Sequence, residues 1–209
     1  MTREQYFSTW SKLHGDAEIR GIVRAWLAIS YVTCRPLVVL RVSPNLVTLS
    51  SLALAVGYLW QIQSPWAIVL LTLSLALDGI DGTLAIMRSK ISSFGALLDA
   101  LMDRIVESLW IYGLFLLGVS WQILAIVWVA SFIQEYMRAR AGGLGESGIG
   151  IVTFAERPVR ASLIFIALVF NQLEFNILNE VATVWAAMQC ASALRLFISL
   201  RSRLRQSQR

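Results

Sequence analysis

Four aspartates carry most of the chemistry this sequence can offer: Asp78, Asp81, Asp99 and Asp103, in a region otherwise apolar enough for lipid. An aspartate at the centre of a membrane helix costs about 2.5–3.5 kcal/mol, so carboxylates in such surroundings mark a functional site. Their spacing is helical. Asp78 and Asp81 are i, i+3, and Asp99 and Asp103 are i, i+4, so each pair lies on one helix face. Between the pairs, Arg88-Ser89-Lys90 and Ser92-Ser93 predict a short polar turn. Two antiparallel helices joined there could aim all four carboxylates at one volume. Like charges in one volume need cations, and oxygen ligands select hard ions, so the cluster is expected to hold one or two divalent ions, Mg²⁺ or Mn²⁺. Gly82 and Gly95 would let a ligand or a backbone approach closely.

The elements that must position these residues follow from composition. The chain has 209 residues, is 57% hydrophobic and carries a net charge of +5, with a mean hydropathy of +0.66. An all-α integral membrane protein is expected, with about six spans of ~20 residues and little left for a soluble domain. The basic balance suits an anionic lipid surface rather than nucleic acid. Cys34 and Cys190 lack a CxxC partner and read as small core residues. No signal peptide is expected, because Met1 to Arg20 is polar.

Taken in order, residues 1–42 mix Arg3, Lys12, Arg20, Arg24, Arg35 and Arg41 with Trp10, Trp26 and Tyr31, which predicts one or more interfacial helices. A true span over 22–40 is the alternative. The six-helix domain covers 43–200. Asn45 is expected to cap the first span, roughly 46–62, and the second runs over 66–87. The third covers about 92–118 and also carries Arg104 and Glu107, and the fourth covers about 122–137. A glycine-rich loop follows, with Gly142, Gly143, Gly145, Gly148 and Gly150, expected as a flexible cover over the site. The fifth span ends near Asn171, the sixth near Leu200, and 201–209 is a basic polar tail. Sorting every Lys and Arg by side leaves the turns at 61–65, 118–121 and 171–176 with none. Both termini and the acidic site are therefore expected on the cytoplasmic side of the cell membrane.

Asp78-x-x-Asp81-Gly82-x-x-Ala85, with Gly95-x-x-x-Asp99-x-x-x-Asp103, resembles the signature of the CDP-alcohol phosphatidyltransferase family. The resemblance covers roughly 44–200. It implies an enzyme that displaces CMP from a CDP-linked lipid, CDP-diacylglycerol, by the hydroxyl of a polar alcohol. It further implies that Asp78, Asp81 and Asp99 are metal ligands, and that Asp103 completes the set and is the general base. Asn45, Thr48, Gly82, Ala85 and Gly95 would lie about the nucleotide, and the protein would be a homodimer. One position departs: Ile86 stands where the family has Arg, and Arg88 is about 200° further round the helix. Ile86→Arg is accordingly expected to leave activity unchanged or to raise it.

The strings Arg138-Ala139-Arg140 and Glu156-Arg157-Pro158-x-Arg160 are similar to those of the phosphatidylinositol-phosphate synthase branch, as is Arg195 late in the last span. That similarity implies Arg138, Arg157 and Arg195 as binders of an acceptor phosphate, inositol phosphate before glycerol phosphate, with arginine's fork suited to the task. Arg140 and Arg160 read rather as anchors at lipid phosphates. Competing readings are a membrane prenyltransferase, which needs two separate acidic motifs, a metal-ion carrier, and a degenerate relative that has lost activity with the motif arginine.

Overall fold

The computed structural model describes residues 1–13, 15–145 and 152–206. Gly148, Gly150 and the tail beyond Gln206 lie outside them. Among the described residues there are eight helices and no strand. They are α1 (Arg3–Leu13), α2 (Gly21–Val39), α3 (Pro44–Trp60), α4 (Trp66–Met87), α5 (Ser93–Leu116), α6 (Trp121–Gly143), α7 (Arg157–Gln172) and α8 (Leu178–Gln206). Each of the six expected spans is present as a helix. By length and composition alone, α4 and α8 are long and apolar enough to cross a membrane. Joining α2 to α3 gives a third such stretch, bent by 110° at the break between them. α3 and α7 are shorter, at 17 and 16 residues, while α5 and α6 carry charged side chains.

The chain divides into two compact units. The first comprises Met1–Val56 and Thr72–Glu107. Its α1 starts on a reciprocal cap: Thr2 N–H donates to Gln5 Oε1 (2.9 Å) and Gln5 N–H donates to Thr2 Oγ1 (3.2 Å). α2 lies at a steep angle to α3, and the turn between them is tied to the end of α4. There the Arg88 guanidinium donates to the carbonyls of Arg41 and Val42. Arg88 is thus committed to the backbone. Two apolar clusters fill this unit, one around Cys34, Val47, Ile80 and Leu84, the other around Tyr6, Leu27 and Ile86.

Three sequence expectations are corrected here. α3 begins at Pro44, one residue before Asn45, and the Ser43 carbonyl accepts from the N–H groups of Leu46 and Val47. Proline has no N–H to satisfy and suits the first helical position, so Ser43 precedes the helix and Asn45 lies inside it. α8 continues to Gln206 instead of ending near Leu200. Leu200 and Leu204, one turn apart, line a groove with Tyr136 and Met137 of α6 and keep the helix going. Finally, Cys34 is buried while Cys190 is exposed on the outer face of α8, so only the former is a core residue.

The second unit comprises Gly57–Leu71 and the described residues from Ser108 onward. Trp110, Trp185, Ile164 and Leu168 are fully buried in it. Polar side chains are buried there too, and several of them pair. Gln189 Nε2 donates to Gln134 Oε1 (2.9 Å), Gln134 Nε2 to Thr153 Oγ1 (3.2 Å), and Ala155 N–H to Ser192 Oγ (2.9 Å). Gly118, at φ +93°, turns the chain between α5 and α6 where a Cβ would clash with its own backbone. Large apolar side chains face outward, including Trp121, Ile126, Phe165 and Val184. Trp60, 89% exposed, and Trp66 flank the turn between α3 and α4. Apolar outside and polar pairs inside is the pattern of a chain whose solvent is lipid.

Candidate active site

The carboxylates lie wholly within the first unit. α4 delivers Asp78 and Asp81, and α5 delivers Asp99 and Asp103. Oxygens of Asp78, Asp99 and Asp103 all lie within 4.8 Å of one another, and the three side chains are half-buried. This donor set is oxygen only, as a hard divalent cation requires. Asp81 stands apart from the trio. It is buried, and its carboxylate accepts from the Thr48 hydroxyl on α3 (2.5 Å) and from the Gly82 N–H (2.6 Å). The expected quartet is therefore a trio plus a neighbour whose orientation Thr48 holds.

Beside the carboxylates opens a cavity of about 580 Å³. Asn45, Thr48, Gly82, Ala85 and Gly95 all line it, together with Asp78, Asp81 and Asp99. A Cβ on Gly82 would meet nothing within 4 Å, so this glycine leaves an open face. Gly95 is tighter: a Cβ there would lie 3.0 Å from Ser92 Oγ and 3.5 Å from Asn45 Oδ1. Lys90, which the sequence reading left in the turn, also lines the cavity, as do Asp78, Asp81 and Asp99. Trp10, Trp26 and Thr83 line it as well and were not foreseen. The nearest sequence signal was Gly79, next to Asp78, which makes room for an aromatic ring.

Ile86 lines the same cavity, yet it is only 5% exposed and packs under Tyr6 and Leu27. An arginine there would have to displace that apolar cluster. This packing argues against the sequence expectation. Ile86→Arg is expected to cost about 1–3 kcal/mol through overpacking and to lower activity, measured as melting temperature and turnover of the purified variant.

The arginines expected at an acceptor lie in the second unit, each engaged by its own partners. Arg138 pairs bidentately with Glu156, at 2.5 and 2.8 Å, and lies 3.7 Å from Glu135. The Arg157 guanidinium sits 5.5 Å from the Trp110 ring centroid, and that of Arg195 sits 4.9 Å from that of Phe154. Arg160, expected as a lipid anchor, is instead buried and bonded to Glu135 (3.1 Å). Its i, i+3 relation to Arg157 places it on the inner face of α7. Arg140 faces a groove that Arg201 and Arg205 also line. On α5, Arg104 pairs with the buried Glu107 (2.7 Å).

Burial alone would push the Glu156 carboxyl up. The bonds from Arg138 and from the Thr153 N–H and hydroxyl outweigh it and hold that carboxyl below the usual glutamate range. Its native value lies below its unfolded one. The stabilisation is therefore complete above the ordinary glutamate range and is lost as pH falls through the lowered native value. A pH series of melting temperatures should show this acid loss, and Glu156→Gln should lack that part of it.

Known proteins share both this chain's sequence and its fold. The model of the CDP-alcohol phosphatidyltransferase family matches residues 41–195. The chain is 32% identical over 152 residues to the archaetidylinositol phosphate synthase of Pyrococcus horikoshii, covering 70% of this chain and 79% of that one. It is also 32% identical over 193 residues to the phosphatidylinositol phosphate synthase of Corynebacterium glutamicum, covering 83% and 80%. The crystal structure of the Mycobacterium tuberculosis phosphatidylinositol phosphate synthase with CDP-DAG bound superposes with a TM-score of 0.69 at 23% identity. That match covers 83% of this chain and 94% of the other, and it shows a common fold. With the acidic signature on two adjoining helices and the family model spanning most of the sequence, the chain belongs to the CDP-alcohol phosphatidyltransferase family.

Proposed function

We propose that this membrane transferase moves the phosphatidyl group of CDP-diacylglycerol onto the hydroxyl of inositol phosphate and releases CMP. The observation that carries the reading is the group of Asp78, Asp99 and Asp103 beside a glycine-walled cavity. The names of the archaeal and bacterial relatives support a phosphorylated inositol as acceptor. Asp78, Asp99 and Asp103 would hold Mg²⁺ or Mn²⁺, with Asp81 as a further oxygen donor oriented by Thr48. When bound, such an ion neutralises the donor's diphosphate and stabilises charge on the leaving oxygen.

The remaining chemistry belongs to the chain's own residues. Asp103 takes the proton of the acceptor hydroxyl. The hydroxyl oxygen then bonds to the lipid-side phosphorus, and the bond from that phosphorus to the bridging oxygen breaks, so CMP departs with the bonding pair. Gly82, Ala85 and Gly95 leave room for the nucleotide, and Asn45 adds a polar edge. Arg138, Arg157 and Arg195 are proposed for the acceptor phosphate. The one-sided distribution of Lys and Arg supports a cytoplasmic site and cytoplasmic termini, and the family resemblance supports a homodimer.

The test is CMP release by purified protein in nanodiscs with CDP-diacylglycerol and Mg²⁺ or Mn²⁺. Inositol phosphate, glycerol phosphate, serine and inositol are offered singly. Release that needs inositol phosphate and disappears in Asp99→Asn supports the proposal. Dependence on glycerol phosphate would replace the acceptor. Silence with all four, from protein that still binds metal, would favour a relative that has lost its activity.

A further inference from the structure

The cavity beside the carboxylates has two unlike walls. The α3–α5 wall carries acids, Asn45, Thr48 and the open face at Gly82. The other wall comes from α1 and α2, which precede the segment the family model matches, and presents Trp10, Trp26 and Leu27. The reaction steps above make no use of it. Trp26 is nevertheless held firmly: a Cβ on Gly79 would lie 2.5 Å from Cζ2 of its indole, so bare glycine receives the ring edge one residue from Asp78. The indole is still 41% exposed. α1 is seated with equal definition. Tyr6 is fully buried, its hydroxyl lies 2.8 Å from that of Thr83, and with Leu27 it packs on Ile86.

A CDP-linked lipid has three parts with different demands. The diphosphate belongs with the carboxylates and their ion, the tails belong in lipid, and the base is a planar ring that must lie a ribose's length from the diphosphate. An indole lining the cavity one residue from Asp78 suits that ring, since every base has a π-face to offer it. Resting on the nucleotide-donor reading of this cavity, we infer that Trp26, flanked by Trp10, is the surface on which the donor's pyrimidine base stacks. Tyr6, seated on Thr83 and Ile86, is the positioning residue that holds α1 and its part of the wall. In this chain an apolar residue at position 86 provides that seat.

The probe is CMP, which has base and phosphate and no lipid tail, titrated with Mn²⁺ onto the full chain in nanodiscs, alongside the KM for CDP-diacylglycerol. Trp26→Leu is expected to weaken CMP binding and raise KM by roughly ten- to a hundred-fold, with kcat little changed, while Trp26→Phe keeps most of the affinity. Trp10→Leu leaves the Gly79 contact intact and should lose several-fold, which supplies the comparison if the first variant does not fold. Tyr6→Phe should weaken CMP while leaving kcat in place. Unaltered CMP binding with a raised KM would assign the wall to the lipid tails and overturn the inference. Wild-type values for both would make Trp26 a membrane anchor and overturn it too. A wild type that binds no CMP in the presence of metal would sink the nucleotide-donor reading itself, which Trp26→Leu cannot do.

Discussion

Asp103→Asn is expected to lower turnover by about 10²–10⁴-fold, the range in which a positioned general base contributes. The substitution keeps the shape of the side chain and one oxygen, and it removes the capacity to accept a proton from the acceptor hydroxyl. Asp78 and Asp99 remain, with oxygens inside the same 4.8 Å grouping, so Mn²⁺ and CDP-lipid binding should fall far less than turnover. Rates measured under saturating donor and acceptor, together with a metal titration, check both halves. Wild-type turnover would remove Asp103 from the mechanism. A loss of metal binding equal to the loss of rate would make it a ligand and nothing more. Asp99→Asn is the comparison, because there both properties should collapse together.

Gly113→Ala is expected to destabilise the protein by about 1–2 kcal/mol, because two effects oppose each other at this position. Alanine in a helix interior is favoured over glycine by about 1 kcal/mol. Against that, a Cβ on Gly113 would lie 2.5 Å from Cε1 of Tyr58 and still nearer to its hydroxyl oxygen. Overpacking of a full core costs about 1–3 kcal/mol, sometimes more. Tyr58 has nowhere to go: it is fully buried and its hydroxyl donates to the Trp110 carbonyl (3.0 Å). The steric cost wins. Thermal unfolding in detergent should show a melting temperature lower by about 2–8 °C, and adding Tyr58→Leu should restore part of it. An unchanged or higher melting temperature would mean that the ring slides aside and helix propensity decides.

Much of the fold was legible because lipid imposes simple rules. Pro65 and a long apolar run give α4 the limits Trp66–Met87 that the sequence reading expected. The helical spacing of the aspartates likewise anticipates Asp78, Asp99 and Asp103 on facing helices. What stayed hidden depends on contacts between distant residues. Tyr6 and Thr83 are 77 positions apart, and no local pattern says that α1 reaches the end of α4. Ile86 therefore looked like a missing arginine rather than a seat. Asp81 read as an equal of the other three, because its bond to Thr48 crosses 33 positions. Arg160 read as an anchor because charge suggests exposure, while its partner Glu135 sits on another helix.

The pairing of Gln134 with Gln189 has a consequence for how the chain is made. The two amides are 55 residues apart, so α6 is synthesised before its partner on α8. Until α8 packs, Gln134 lacks that bond, an interhelical amide contact worth roughly 1–2 kcal/mol. α8 is thus the element that supplies it, and the second unit reaches its final packing only after the last helix has been synthesised. A chain cut short before Gln189 leaves the Gln134 amide oxygen without the donor that the finished chain supplies.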